Sequence, residues 1–200
     1  MYARSTTCQG MPDNIDAGIM FITDELAPML DEIEGCRGLS MVVDRKTGEC
    51  IVTSSWDTQE AMRNSDAQVR PMRERGQEIL GGAIQVDEWR VAVMHRTHHA
   101  ACCRVSWLRG DLDAMTETFR TAILPDLERT DGFCSASLLV GASTGIACAT
   151  TAWDSWASME ASRTSADEMR SRAASESNGQ ILDVHEFELA HAHLHIPEMA

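Results

Sequence analysis

The first clear pattern along the chain is a helical stripe. Ile15, Ile19, Ile22, Leu26, Leu30 and Ile33 recur at three- and four-residue steps, and the opposite face is acidic. The turn Gly10-Met11-Pro12-Asp13-Asn14 precedes it, with Asp13 or Asn14 able to cap. Pro28 predicts a kink or a split inside this helix, and Gly35 predicts its end. Upstream, residues 4–9 alternate weakly, as a short strand would. Downstream, residues 39–44 and 49–56 have strand composition and flank the turn Arg45-Lys46-Thr47-Gly48, which predicts a hairpin. Asp57, with Glu60 three residues on, predicts the cap of a second helix. That helix is expected to reach about Arg75, with Pro71 bending or restarting it and Gly76, Gly81 and Gly82 breaking it. Residues 83–95 read as a long strand, with Trp89, Val91, Val93 and His95 on one face and Glu88, Arg90, Ala92 and Met94 on the other.

The order then restarts. Residues 103–108 read as a strand, and Asp111 caps a helix striped by Leu112, Met115, Phe119, Ile123 and Leu127. Pro125 matches Pro28, and Gly132 matches Gly35. A second hairpin spans 137–153, Met169-Arg170 stand where the first half has Met72-Arg73, and the last strand covers 181–195. That strand aligns one residue out of phase, so Phe187 falls on Trp89. The clearest self-similarity is Thr53, Trp56, Asp57, Met62 and Ser65, which recur 97 positions on as Thr150, Trp153, Asp154, Met159 and Ser162. Self-similarity over half a chain marks a duplicated unit.

Each half is therefore βαββαβ-type, and the expected domains are 1–98 and 99–200. A four-stranded sheet with two helices on one face leaves its other face uncovered. A second such sheet supplied in the same chain would cover it. The expected fold is one compact α+β barrel formed by the two repeats within one chain, with further self-association left open. Residues 96–101 join the halves without Pro, Gly or Ser, which argues against a flexible linker.

Charge removes several partners. A formal net charge of −14 argues against nucleic acid, whose phosphates need Lys and Arg opposite them, and against an anionic membrane surface. The seven cysteines form no CxxC or zinc spacing, and residues 1–8 carry no apolar leader. A reducing cytoplasm is the expected compartment. No phosphate loop, dinucleotide fingerprint or G-x-S-x-G is present, and no cofactor is expected.

The run from Pro28 to Gly38, the hairpin, and Ser55-Trp56-Asp57-Thr58-Gln59-Glu60-Ala61-Met62 resemble the antibiotic biosynthesis monooxygenase (ABM) domain, once per half and over nearly the whole chain. The resemblance implies a dimeric α/β barrel of the ferredoxin-like superfamily. It implies a range of activities: cofactor-independent quinol or anthrone monooxygenases, haem-degrading enzymes, and members with no known activity. The chain departs from the haem-degrading pattern, because residues 65–75 and 162–172 contain neither Trp nor His. It departs from tyrosine-rich polyketide oxidases too, with Tyr2 as its one tyrosine.

Two sets of residues could carry chemistry. Trp56 and Trp153 end equivalent hairpin strands, where an indole usually closes a core. The functional alternative is an aromatic wall for a planar ligand, shared with Trp89 and Trp156; Trp107 is read as core. His191, His193 and His195 alternate onto one face of the last strand, and His95 is the repeat-mate of His193. They could pair with carboxylates, share a metal ion, or act as acid–base groups toward a phenol or quinol. No third metal ligand is evident, so no metal is assigned. Cys102-Cys103 beside His98-His99 read as buried small hydrophobes at the join, and most methionines as core. The function read from the sequence is a cofactor-free ABM-type monooxygenase acting on a small aromatic or quinol-like compound. His95, His191 and His193 are its catalytic candidates, and Trp56, Trp89, Trp153 and Trp156 its binding candidates. The alternative is a non-catalytic small-ligand-binding or structural protein that keeps the fold.

Overall fold

The structure, a computed structural model, describes residues 1–194. Its elements follow the duplicated order. The first half contains β1 (Tyr2–Gln9), α1 (Ile15–Phe21), α2 (Ala27–Asp31), β2 (Cys36–Val43), β3 (Glu49–Trp56), α3 (Gln59–Asn64), α4 (Asp66–Leu80) and β4 (Ala83–Arg96). The second contains β5 (Cys102–Arg109), α5 (Leu112–Thr118), α6 (Leu124–Glu128), β6 (Phe133–Gly141), β7 (Ile146–Trp153), α7 (Trp156–Ala161), α8 (Arg163–Glu176) and β8 (Gln180–Leu194). The strands form a closed barrel in the order β1-β3-β2-β8-β5-β7-β6-β4. The fold is the α+β barrel of two ferredoxin-like repeats. The chain divides into two compact units. Unit 1 is Met1–Trp89 with the end of β8 from Glu188; unit 2 is Arg90–Phe187.

In unit 1 the helices cover a core of Ile15, Phe21, Leu26, Leu30, Met41, Trp56 and Met62. In unit 2 the equivalent core holds Phe119, Ile123, Leu127, Leu138, Trp153 and Met159. Each large apolar side chain so buried contributes about 1.5–3 kcal/mol from water exclusion.

Several local expectations are refined or corrected. The interruption expected at Pro28, and at its match Pro125, takes the form of a π turn just before the proline. Each proline sits in the first turn of a helix that follows a π turn, Ile22–Leu26 and Phe119–Ile123 respectively. The wider turn accommodates a residue that cannot donate a backbone hydrogen bond. Thr58, not Asp57, caps α3: its backbone is extended and its side chain accepts from the Ala61 N–H at 3.0 Å. Asp57 instead takes a fork from Arg37 at 2.6 and 2.5 Å. Ser155 caps α7 in the same way as Thr58 caps α3. Gly76 does not end its helix; α4 runs on to Leu80 and stops at Gly81, whose φ of +74° suits a left-handed cap. Pro71 lies inside α4, and the break falls earlier, at Ser65. Asp111 caps α5 as expected, accepting from the Asp113 and Ala114 N–H groups.

Strict alternation fails along β4. Val91 pairs with Leu139 and Val93 with Leu138, so Ala92 is the extra residue of a bulge. In β8, Leu189 pairs with Val42 and His191 with Met41, so Ala190 is extra at the equivalent position. Ala92 and Val93, expected on opposite faces, both join the unit 2 core. β1 is longer than expected, with eight residues in register against β3.

Candidate functional site

In each unit a cavity lies between the sheet and its helices. In unit 1, β1 contributes Thr6 and Cys8, and β3 contributes Cys50, Val52 and Ser54, alternate residues that share one sheet face. Phe21, Leu26 and Leu30 close one side, and α4 lays Val69, Met72, Arg73 and Gly76 across the top at helical spacing. Its free interior space is about 60 Å³, and it opens to solvent. Unit 2 repeats it at about 50 Å³, with Ser106, Ala149 and Thr151 below and Ala166, Met169, Arg170 and Ala173 above. Gly76 matters locally, since a Cβ there would stand 3.3 Å from the Phe21 ring.

Beside each cavity is a buried arginine that the sequence reading missed. Arg104 on β5 is 1% exposed. Its Nη2 donates to the Met159 carbonyl at 2.8 Å and its Nη1 to Ser162 Oγ at 3.1 Å. Nε and Nη2 both donate to Glu186 Oε1, at 3.0 and 2.9 Å. Arg4 on β1 does the same in unit 1. It reaches the Met62 carbonyl at 2.8 Å and Ser65 Oγ at 3.5 Å, with Glu88 at 3.5 Å and Asp66 at 3.8 Å. Burial and the positive charge of Arg73 push the Arg4 guanidinium down from its ordinary value. The pair was hidden because Arg104 follows Arg4 by 100 positions, not 97; the turn after the first strand is longer in the first half. Ser65 and Ser162, already part of the repeat, and Glu88 and Glu186, at matching places in the long strands, were the available signal.

The indole candidates do not line these cavities. Trp56 is fully buried, its Nε1 donating to Ser54 Oγ at 3.0 Å. Trp153 is fully buried as well, donating to Thr151 Oγ1 at 3.4 Å and meeting Phe133 edge-on at 6.0 Å. Ser54 and Thr151 line the two cavities, so each of these indoles backs its cavity through one hydroxyl. Trp89 is buried with its N–H on Ser5 Oγ at 2.8 Å. Trp156 opens α7 and is 50% exposed.

The histidines fall in two groups. In unit 1, His191 and His193 pair across the strands with Met41 and Leu39. His193 is half exposed, with Nε2 4.0 Å from Asp31 Oδ2 at the end of α2. Burial, reinforced by His193 and opposed by Asp31, pushes the His191 imidazole below its ordinary value. The His191 Nε2 is buried and makes no hydrogen bond among the described residues. In unit 2, His95 is buried, stacks on Phe133 at 6.0 Å, and has Nε2 3.3 Å from Glu128 Oε1 at the end of α6. Both repeats thus bring the imidazole near the end of the long strand to a carboxylate at the end of the second helical segment, α2 or α6. His195 lies outside the described residues.

Among the described residues no three His, Cys, Asp or Glu side chains converge as a metal site requires. Cys102 and Cys103 are buried in β5 while His98 and His99 are exposed, so they form no cluster. The seven cysteines are free thiols. Burial raises the Cys50 thiol to about 12, with Cys8 adding to the shift, and raises Cys102 to about 11. These thiols are poor nucleophiles. No described helix is long and apolar enough to cross a membrane.

No family model matches the chain. Two Mycobacterium tuberculosis proteins are similar along its full length. The uncharacterized protein Rv2558 is 45% identical over 208 residues, covering 100% of this chain and 87% of that protein. The uncharacterized protein Rv2557 is 43% identical over 205 residues, covering 100% and 92%. Among solved structures, a candidate monooxygenase of Lactobacillus acidophilus superposes with a TM-score of 0.72 at 8% identity, covering 97% of this chain and 96% of that one. An anthrone oxidase-like protein superposes with a TM-score of 0.67 at 13% identity, covering 100% and 95%. At these identities the likeness is one of fold.

Proposed function

The chain belongs to the family of the mycobacterial proteins Rv2557 and Rv2558, and for it we propose a cofactor-free monooxygenase activity of the ABM type on a small aromatic or quinol-like compound. The observation that carries this reading is the largely apolar cavity, open to solvent, under the helices of each repeat. The fold shared with an anthrone oxidase-like protein and a candidate monooxygenase supports it.

In such a reaction a base removes a proton from an acidic C–H or O–H of the substrate. The resulting electron-rich anion reacts with dioxygen. A methylene flanked by aromatic rings would become a carbonyl, with the second oxygen atom leaving as water. His191, His193 and His95 are the proposed acid–base groups. The lowered basicity of His191 keeps it neutral near pH 7, the form that accepts a proton. In unit 1 these groups stand one strand beyond the lining, with Leu39 both lining the cavity and pairing with His193. Trp56 and Trp153 back the cavity walls; Trp89 and Trp156 are proposed as a more distant aromatic shell. The seven free thiols suit a reducing cytoplasm.

One observation favours a second reading, binding without turnover: no His, Asp or Glu is among the described residues lining either cavity. Oxygen uptake with a panel of quinols and anthrones separates the two. Turnover supports the oxygenase. Ligand binding with no oxygen uptake across the panel leaves a binding protein. Turnover that survives His95→Ala, His191→Ala and His193→Ala combined would remove the histidines from the mechanism.

A further inference from the structure

The protein carries 31 acidic and 17 basic residues. Its two cavities reverse that balance. Every charged residue lining either one, among the described residues, is an arginine: Arg4 and Arg73 in unit 1, and Arg170 in unit 2. Arg73 and Arg170 are repeat-mates, each following a lining methionine on the long helix, Met72 and Met169. Both are largely buried, with 13% of the side chain exposed in each case.

These guanidiniums are not saturated. Arg4 is consumed by the Met62 carbonyl, Ser65, Glu88 and Asp66. Arg73 gives one contact to Asp66, at 3.3 Å, and that carboxylate is already held by Arg70. Arg170 is paired with Asp167 on the preceding helical turn. A guanidinium carries five N–H donors in a planar fork, so each keeps donors to spare. Burial pushes Arg170 below its ordinary value, and the nearby positive charges of Arg104 and Arg163 push the same way. A cation held in an apolar cavity, short of acceptors and beside a second cation, is the environment that selects a planar anion.

We propose that each cavity binds an aromatic carboxylate, its rings among the apolar lining and its carboxylate on Arg73 in unit 1 or Arg170 in unit 2. The proposal rests on the reading of these cavities as the substrate site and narrows the aromatic substrate class to acids. It adds a function for the Met-Arg pair that the duplication preserves. It makes Arg73 and Arg170 binding residues, while Arg4 and Arg104 remain structural.

The test is calorimetric titration of the full chain with 1-naphthoate, with its neutral isostere 1-naphthamide, and with octanoate. The expected result is naphthoate binding roughly tenfold to a hundredfold tighter than naphthamide, the range one charge-assisted fork supplies. Arg73→Gln combined with Arg170→Gln should abolish that preference and leave naphthamide binding intact. Arg73→Lys with Arg170→Lys, which keeps the charge and loses the fork, should retain part of the preference. Equal binding of acid and amide overturns the proposal while leaving the cavities as ligand sites. So does a preference that the double Gln variant does not alter. Octanoate binding more tightly than naphthoate overturns the aromatic assignment. Binding of none of the three overturns both the proposal and the cavity reading beneath it.

Discussion

At the scale of single residues, Arg104 and Arg4 make the same clamp with unequal quality. Arg104 reaches Glu186 at 2.9 Å, whereas the acids around Arg4 stand at 3.5 and 3.8 Å. Removing one partner of a buried ion pair leaves the other uncompensated, at a cost of about 3–5 kcal/mol. Arg104→Ala should therefore lower stability by about 3 kcal/mol, the low end because Glu186 keeps some solvent. Arg4→Ala should cost less. Urea unfolding midpoints compare the two, and an equal or inverted order would refute the ranking. His191 sets a pH dependence. Its folded imidazole is less basic than an unfolded one, so the folded state binds fewer protons. The stability it contributes is complete above the unfolded value near 6.5 and is lost as pH falls toward the lower folded value. His191→Gln should flatten the fall in melting temperature below pH 6.5; an unchanged slope would assign that fall to other groups.

At the scale of elements, small shifts of position decide which residue does which job. Thr58 and Asp57 are neighbours, and both are good capping types. The extended backbone at Thr58 gives it the Ala61 N–H, and Asp57 turns outward to Arg37. Thr58→Ala should cost about 1 kcal/mol of stability. Asp57→Ala should cost little, because its pair with Arg37 is well exposed. Thermal unfolding of the two variants checks the assignment, and a larger loss from Asp57→Ala would restore the cap the spacing suggested. The bulges at Ala92 and Ala190 act at the same scale. Each resets the alternation of its long strand just before His95 or His193, which aims those imidazoles at Glu128 and Asp31.

At the scale of the whole molecule, the long strands tie the repeats into one chain. Unit 1 includes the end of β8, whose residues from Glu188 pair with β2; unit 2 includes the end of β4, whose residues from Arg90 pair with β6. A fragment of residues 1–98 keeps the first repeat's sequence but loses the partner of β2. Its β2 edge, Gly38 to Val43, would be left unpaired, and an unpaired edge seeks another strand. This fragment should run as a dimer or aggregate in size-exclusion chromatography with light scattering. A folded monomer would show that the first repeat needs no strand from outside itself.

The sequence by itself determined the element order, the duplication and the barrel class. These follow from apolar periodicity and turn residues, which act over a few positions and leave a direct trace in the chain. It also marked the Trp56 and Trp153 junctions and paired His95 with His193. Tertiary structure alone decided which faces enclose a cavity and which residues face it. Phe21, Met72, Cys50 and Arg73 come from distant segments, and no local pattern records their meeting. The same holds for Arg4. In sequence it is a charged residue in a weak strand; in the fold, acceptors from α3, Ser65 and β4 make its burial affordable. Burial of a charge depends on partners far along the chain, and periodicity carries no information about them.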